Sequence, residues 1–554
     1  MTSRLSKLTV LRPWFWACAA VTIFAGLFVW FAGHRGVFLL DQSIMFDGAW
    51  RVYQGQVQYR DFISTFPPLP FVIQAMFFRL AGVNFSAMVL GAAVLNAVAT
   101  LCVIWLVHRL VPDQRAIAWI AGLLTAVWFQ APFGTLWFEQ TAFCFNLLSL
   151  VLLLKSLDTR DPAAVGCRVG AGVLLAASLL CKQNAGAEFL PLALGVATLP
   201  LLDRKRKALR SALEVIAGIA LGAGIFATWL WIFSSPSEFW KEYVVMARQI
   251  GSDRAGLVGL LFAIFPLSMT WPFVIVAMGI FAAAFSKSRT ASMPTAKRTL
   301  IVWLVVGGAY YQNLFKMHTD NEIENGVPFL GLIYGLSFAV FWKYAVLAET
   351  SRTDLLKRAF FVGLACLVLG YPLLNGLNSA WNRSVQEFEA GAVFNHQLKV
   401  PAMSRVLWGE PTRYGERSTI EGTDFEALNA FLAETRANFF VFPDSTMLYA
   451  LQGRVSPQPW LYFSPGHSFL IEDLPKVDSA VVEALQKNNV RVIVLEKDSW
   501  VLNHNLWKQM PKLKTWIEGD FERVKDFGIY EVRLSRGATE PNPVNEMNVR
   551  STLP

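Results

Sequence analysis

Charge is what this sequence is short of. Only 16% of its 554 residues are Asp, Glu, Lys or Arg, where soluble domains carry about 25%. With 54% hydrophobic residues and a mean hydropathy of +0.42, the shortage excludes a single water-soluble globule and a disordered chain alike. Cysteine is sparse as well. The six (Cys18, Cys102, Cys144, Cys167, Cys181 and Cys366) have no metal-ligand spacing, and none follows Cys366. No disulfide framework therefore supports the C-terminal part, and the cysteines read as small apolar packing residues. Walker A, Rossmann, serine-triad and zinc-finger patterns are missing too, which disfavours soluble nucleotide chemistry.

The charge that is present is unevenly placed. Leu377–Pro554 holds 19 Lys and Arg against 22 Asp and Glu, a net of −3, so residues 1–376 hold 30 against 18, a net of +12. The basic residues of that apolar part sit in short loops, a pattern of membrane topology rather than of a nucleic-acid partner. A spanning helix takes roughly 17–25 mostly apolar residues. Eleven such runs occur, near 14–32, 86–107, 116–133, 137–154, 167–181, 185–202, 211–233, 257–285, 299–315, 327–347 and 359–376. Every even-numbered run is followed by a basic cluster, as in Arg109 and Arg115 or Arg204–Lys207, which assigns those loops to the cytoplasm. The first run starts basic and has no small-residue cleavage site, so it is expected to stay as a helix.

The expected fold is a polytopic α-helical membrane protein of about eleven transmembrane helices with a C-terminal extracytoplasmic α/β domain. Residues 1–376 form the membrane domain, with a first external loop at 33–85; 377–536 form the soluble domain; 537–554 read as a disordered tail. Within 377–536, Asp424–Arg436 and Val481–Asn489 look helical, while Asn438–Pro443, Val490–Glu496 and Gly528–Leu534 look like strands.

In the 33–85 loop, Phe46, Trp50 and Tyr53 share one face if Gln42–Gln54 is helical. Such a stripe predicts a helix lying in the membrane interface. Pro67, Pro68 and Pro70 stop it, and Phe71–Ala81 is too short to span. Asp41 reads two ways on the residues alone. It is either a functional carboxylate at the membrane boundary, costly unless solvated or paired, or the N-cap of a helix starting at Gln42.

Several stretches, in this order, resemble the GT-C membrane glycosyltransferases. They are Asp41, then Gly55-Gln-Val-Gln-Tyr59-Arg60-Asp61-Phe62, Pro67-Pro68-Leu69 and Cys181-Lys182-Gln183-Asn184-Ala-Gly186. The stretch from Val441 through Asp444 and Tyr449 to Arg454 and Pro457 is similar to the external domain of some of them. In particular the chain resembles bacterial family 39/83-like enzymes, related to the lipid A aminoarabinose transferases and protein O-mannosyltransferases. The resemblance implies inverting transfer of a sugar from a polyprenyl-phosphate donor to an envelope glycan, lipid or protein acceptor. It places the reaction on the extracytoplasmic face of an inner membrane, and the basic Arg4, Lys7 and Arg12 put the N-terminus in the cytoplasm.

The resemblance puts Asp41 at the catalytic centre, where single displacement needs a base for the acceptor hydroxyl. Glu139, expected in a turn between the third and fourth spans, is the second carboxylate, or else a solvated loop charge. Where the family often has an acidic pair, this chain has Asp41-Gln42. One carboxylate fewer weakens divalent coordination, so Mg or Mn, if used, falls to Asp41 and Glu139. Lys182 is the candidate contact for the leaving phosphate, or else a snorkelling lysine. Arg60 is a further phosphate candidate that Asp61 alternatively pairs; Arg248 and Arg254 are weaker ones. Tyr59, Asp61 and Gln183 complete the substrate candidates, with His318 and Glu322 in a polar loop, Lys316–Asn325, that binds a sugar or metal or is merely solvated. Two other classes fit the helices: a transporter or flippase of a lipid-linked substrate, and a non-catalytic envelope assembly protein. Loss of turnover in Asp41→Asn separates the enzyme from the assembly protein, and flux of a labelled lipid or ion without glycosyl transfer marks the transporter.

Overall fold

The computed structural model describes residues 2–246, 248, 293–319, 327–341, 355–382, 393–410, 413–414, 417–418, 420–464, 467–497 and 506–536. Helices lie over ten of the eleven expected spans; the run at 257–285 is outside the described residues, as is the tail 537–554. The chain opens with α1 (Thr2–Gly33), followed by α2 (Leu39–Tyr53) and α3 (Pro68–Ala81) in the 33–85 segment. Next come α4 (Phe85–Leu110), α5 (Arg115–Trp128), α6 (Phe138–Ser156), α7 (Ala163–Leu179), α8 (Gln183–Thr198) and α9 (Lys205–Phe233). Further helices are α10 (Met293–Thr319), α11 (Leu330–Phe341) and α12 (Leu355–Asn382). Among the described residues four segments are long and apolar enough to cross a bilayer: Pro13–Gly33, Phe85–Leu110, Phe138–Ser156 and Lys205–Phe233.

The helices pack in two groups. α4 and α5 pack on each other and on both α1 and α11, and α6, α7, α8 and α9 form a second set joined to the first through α4 and α6. One apolar core runs through both groups. The outer faces of α1 and α9 stay apolar, with Trp16, Leu27, Ile225 and Trp231 all exposed. Such surface is a liability in water and is lipid-facing in a bilayer.

The C-terminal part is α/β. A four-stranded sheet has the order β5 (Phe439–Phe442), β6 (Val492–Glu496), β8 (Tyr530–Ser535), β7 (Phe521–Phe527). The β5–β6 pair is parallel, Phe439 opposite Val492, and the others are antiparallel. The crossover carries a helix at Leu474–Lys487, as parallel neighbours require. Two short hairpins precede the sheet, β1 (Val393–Gln397) with β2 (Leu407–Glu410) and β3 (Arg413–Tyr414) with β4 (Arg417–Ser418). β5 is buried on both faces, which explains its unbroken apolar run. Phe440 and Phe442 pack with Val477, Val481 and Ile517 under the helices. Phe439 and Val441 face a core shared with α2 and α3.

That shared core corrects one expectation. The aromatic face of α2 does not lie in the membrane interface: Phe46 is fully buried, Trp50 nearly so, and both sit beneath the α/β part. Trp50 Nε1 donates to the Arg454 carbonyl at 2.7 Å, and Phe46 packs on Phe78 of α3. Tyr53, stacked on Trp50, is half-buried.

Candidate active site

α2 begins three residues earlier than the capping reading required. Its N-cap is Phe38, whose backbone N–H is satisfied by Gln42 Oε1 at 2.9 Å. Asp41 is therefore not the cap. It lies in the first turn, half-buried, where the helix dipole favours a carboxylate. Gln42, fully buried, reaches back to the Phe133 carbonyl at 3.4 Å, tying this turn to the segment before α6.

That segment, 129–137, is buried at every residue. Trp137 stacks against Phe133, and Phe66 stacks on Phe138. Glu139 follows in the first turn of α6 and is 3% exposed, which rules out the solvated loop charge. Its Oε1 accepts from Lys182 Nζ at 3.2 Å. Lys182 is the N-cap of α8, in extended backbone after α7. The two expected partners of the chemistry thus meet as a largely buried ion pair. What sets this junction is Gly186: a Cβ there would stand 2.6 Å from Leu179 N and 2.8 Å from its Cα.

Gln183 Nε2 donates to the Tyr243 carbonyl at 3.0 Å, and Tyr243 Oη donates to the Leu179 carbonyl. Tyr243 belongs to a π-helical turn, Trp240–Val245, that straps this junction. Tyr59, buried with φ at +68°, packs edge-on to Phe239 beside it. Arg60 makes a bidentate pair with Asp61, 2.9 and 2.7 Å, and donates to the Phe233 carbonyl. The Arg60 hydrogen bonds hold the Asp61 carboxyl below its usual range. Of the weaker candidates, Arg248 is exposed and Arg254 lies outside the described residues.

The polar loop at Lys316–Asn325 differs from expectation. Lys316 and His318 belong to the end of α10, with Lys316 2% exposed; Glu322 lies outside the described residues. Among the described residues no three His, Cys, Asp or Glu side chains form a metal-ligand group, and Glu139 already faces an ammonium.

Comparison with solved structures decides the fold. ArnT from Cupriavidus metallidurans bound to undecaprenyl phosphate superposes with a TM-score of 0.54 at 13% identity, covering 93% of this chain and 97% of its own. Its apo state gives 0.50 at 14% identity, over 95% and 98%. The chain has the GT-C fold. An apo oligosaccharyltransferase from Archaeoglobus fulgidus aligns at 0.48 with 14% identity, over 95% of this chain and 75% of its own. No protein-family model and no curated protein matches the sequence.

On this GT-C scaffold the structure adds groups that sequence reasoning missed. Arg51 and Asp47, both buried, pair at 3.0 Å one turn apart on α2, a spacing visible in the sequence. Arg51 also donates to the carbonyls of Gln458, Pro459 and Trp460. Burial pushes the Asp47 carboxyl up to about 6, against the pull of Arg51. Glu242, in the π-turn, is 2% exposed and is pushed up to about 7 by burial, with Lys241 opposing. Lys241 in turn bridges to Asp473 of the α/β part at 3.0 Å. No motif announces that contact.

Proposed function

We propose that the chain is an inverting glycosyltransferase that moves a sugar from a polyprenyl-phosphate donor to an envelope glycan, lipid or protein acceptor. The observation that carries the reading is the buried Glu139–Lys182 pair in a chain of GT-C fold whose α2 presents Asp41 in its first turn. Undecaprenyl phosphate bound to the structural neighbour supports a prenyl-phosphate donor.

In this reading Asp41 takes the proton of the acceptor hydroxyl as its oxygen bonds to the anomeric carbon. The bond from that carbon to the phosphate oxygen breaks in the same displacement, and polyprenyl phosphate leaves with one more negative charge. Lys182, partly exposed while its partner is not, meets that charge; Glu139 aims it and keeps it protonated. The reaction takes place on the extracytoplasmic side, and the α/β part contributes to acceptor choice. A Mg or Mn ion, if held by Asp41 and Glu139, would compete with the Lys182 ammonium for the Glu139 carboxylate. Chelator is accordingly expected to leave turnover unchanged.

The test is transfer by detergent-purified protein from a panel of polyprenyl-phosphate sugars, with native lipid extract as acceptor. Asp41→Asn is expected to lower turnover by about 10²–10⁴-fold while donor still binds. Equal turnover in wild type and mutant sinks the assignment of Asp41. Bound and translocated lipid with no transferred sugar favours the transporter.

A further inference from the structure

A cavity of about 350 Å³ opens at the opposite end of the bundle from Glu139. It is walled by the last turn of α4, the end of α6, the Leu199–Arg204 turn and the start of α10. Three arginines line it, Arg109, Arg204 and Arg298, against a single carboxylate, Asp158, so the charged lining has a net of +2. Asp158 is taken by Arg109, whose Nε donates to it at 2.7 Å. Arg204 and Arg298 are exposed and come from different elements. The remaining wall is mostly aliphatic, including Leu154, Leu201 and Ile301.

Depth decides what such a cavity suits. α6 begins beside Glu139 and ends at Ser156 against the cavity, 19 residues. At about 1.5 Å per residue that separation is close to the roughly 30 Å of a bilayer's hydrocarbon core. The cavity therefore lies at headgroup level of the leaflet opposite the candidate site. Arginine forks suit a phosphate diester, and aliphatic walls suit the glycerol and first acyl carbons beneath it.

We propose that this cavity binds the headgroup of an anionic glycerophospholipid, its phosphodiester between Arg204 and Arg298 and its acyl chains along Leu154, Leu201 and Ile301. The site is separate from the donor site and does not depend on the glycosyltransferase reading. Free phosphate shares the arginine chemistry but makes no use of the aliphatic wall.

The test uses the full-length protein in neutral detergent and counts bound lipid by native mass spectrometry. The probes are phosphatidylglycerol, phosphatidylcholine and inorganic phosphate. Phosphatidylglycerol is expected to bind and phosphatidylcholine not to. The Arg204→Gln/Arg298→Gln double variant is expected to weaken binding about 30-fold, about fivefold per arginine. Lys205→Gln/Lys207→Gln, exposed at the same end but outside the cavity, should stay within about twofold of wild type. Leu201→Trp, which fills the wall without changing charge, should also block the lipid and serves if the arginine variant fails to fold. Equal binding of phosphatidylcholine, or equal loss in the lysine variant, overturns the proposal. So does displacement of the lipid by inorganic phosphate, which would make the cavity a small-anion site.

Discussion

Glu139 and Lys182 come from helices that start at the same end of the bundle, and neither is well placed alone. A carboxylate 3% exposed is tolerated because an ammonium stands 3.2 Å away. Removing one partner takes that compensation away. Lys182→Ala is expected to cost about 1–3 kcal/mol of stability and to abolish donor retention, measured by thermal melting and by lipid co-purification. Adding Glu139→Gln to it should restore most of the stability and none of the retention. If retention returns with stability, Lys182 serves packing and not phosphate. The sequence made both residues visible as rare charges among apolar runs. It did not show their pairing, because the segment before Glu139 folds inward and its aromatic residues suit a solvated turn or a buried one equally well on periodicity.

Helix by helix, one tight constraint near the site is the α7–α8 junction. Gly186→Ala puts a methyl against the Leu179 backbone and is expected to cost about 1–3 kcal/mol, with turnover falling as Lys182 shifts. Gly195→Ala, on the same helix with only 3.8 Å contacts, should be neutral or slightly stabilising. Loss in both variants equally would point to the helix and not to the junction. The π-turn strap over this junction brings pH sensitivity. Glu242 faces Lys241, Glu238, Asp473 and Tyr59, and burial raises its carboxyl from 4.5 to about 7. The folded chain then holds that proton more tightly than the unfolded one. The stability it contributes is full below 4.5 and is lost as pH rises through about 7. The melting midpoint is expected to fall between pH 5 and 8, and Glu242→Gln to flatten that slope; an unchanged slope removes Glu242 as its source.

At the scale of the whole molecule, the α/β part and the 33–85 segment share one core, and Arg51 ties them. Arg51→Met would leave Asp47 buried without its cation, at a cost of about 3–5 kcal/mol. Hydrogen exchange should then show α2 and β5 losing protection together, with turnover reduced because Asp41 rides on α2. If β5 keeps its protection, the two units are independent. Strand and helix order in this part was legible because alternation and buried apolar runs are local signals. The covering of Phe46 and Trp50 was not. Burial under protein and burial in a membrane interface draw on the same hydrophobic effect, so an apolar stripe cannot say which one it meets.

On the α/β part the Arg51 clasp closes on main-chain oxygens and not on side chains. Every amino acid supplies such an oxygen, so Pro459 can drift over evolutionary time without loosening the grip on α2. Gln458 is different, since its own amide shapes the loop through Trp460 N and O. A scan of 458 and 459 should tolerate change at 459 and punish it at 458, while Trp460 is held by its own burial in the core under β5. The tether would persist in homologues whose aligned residues look unrelated.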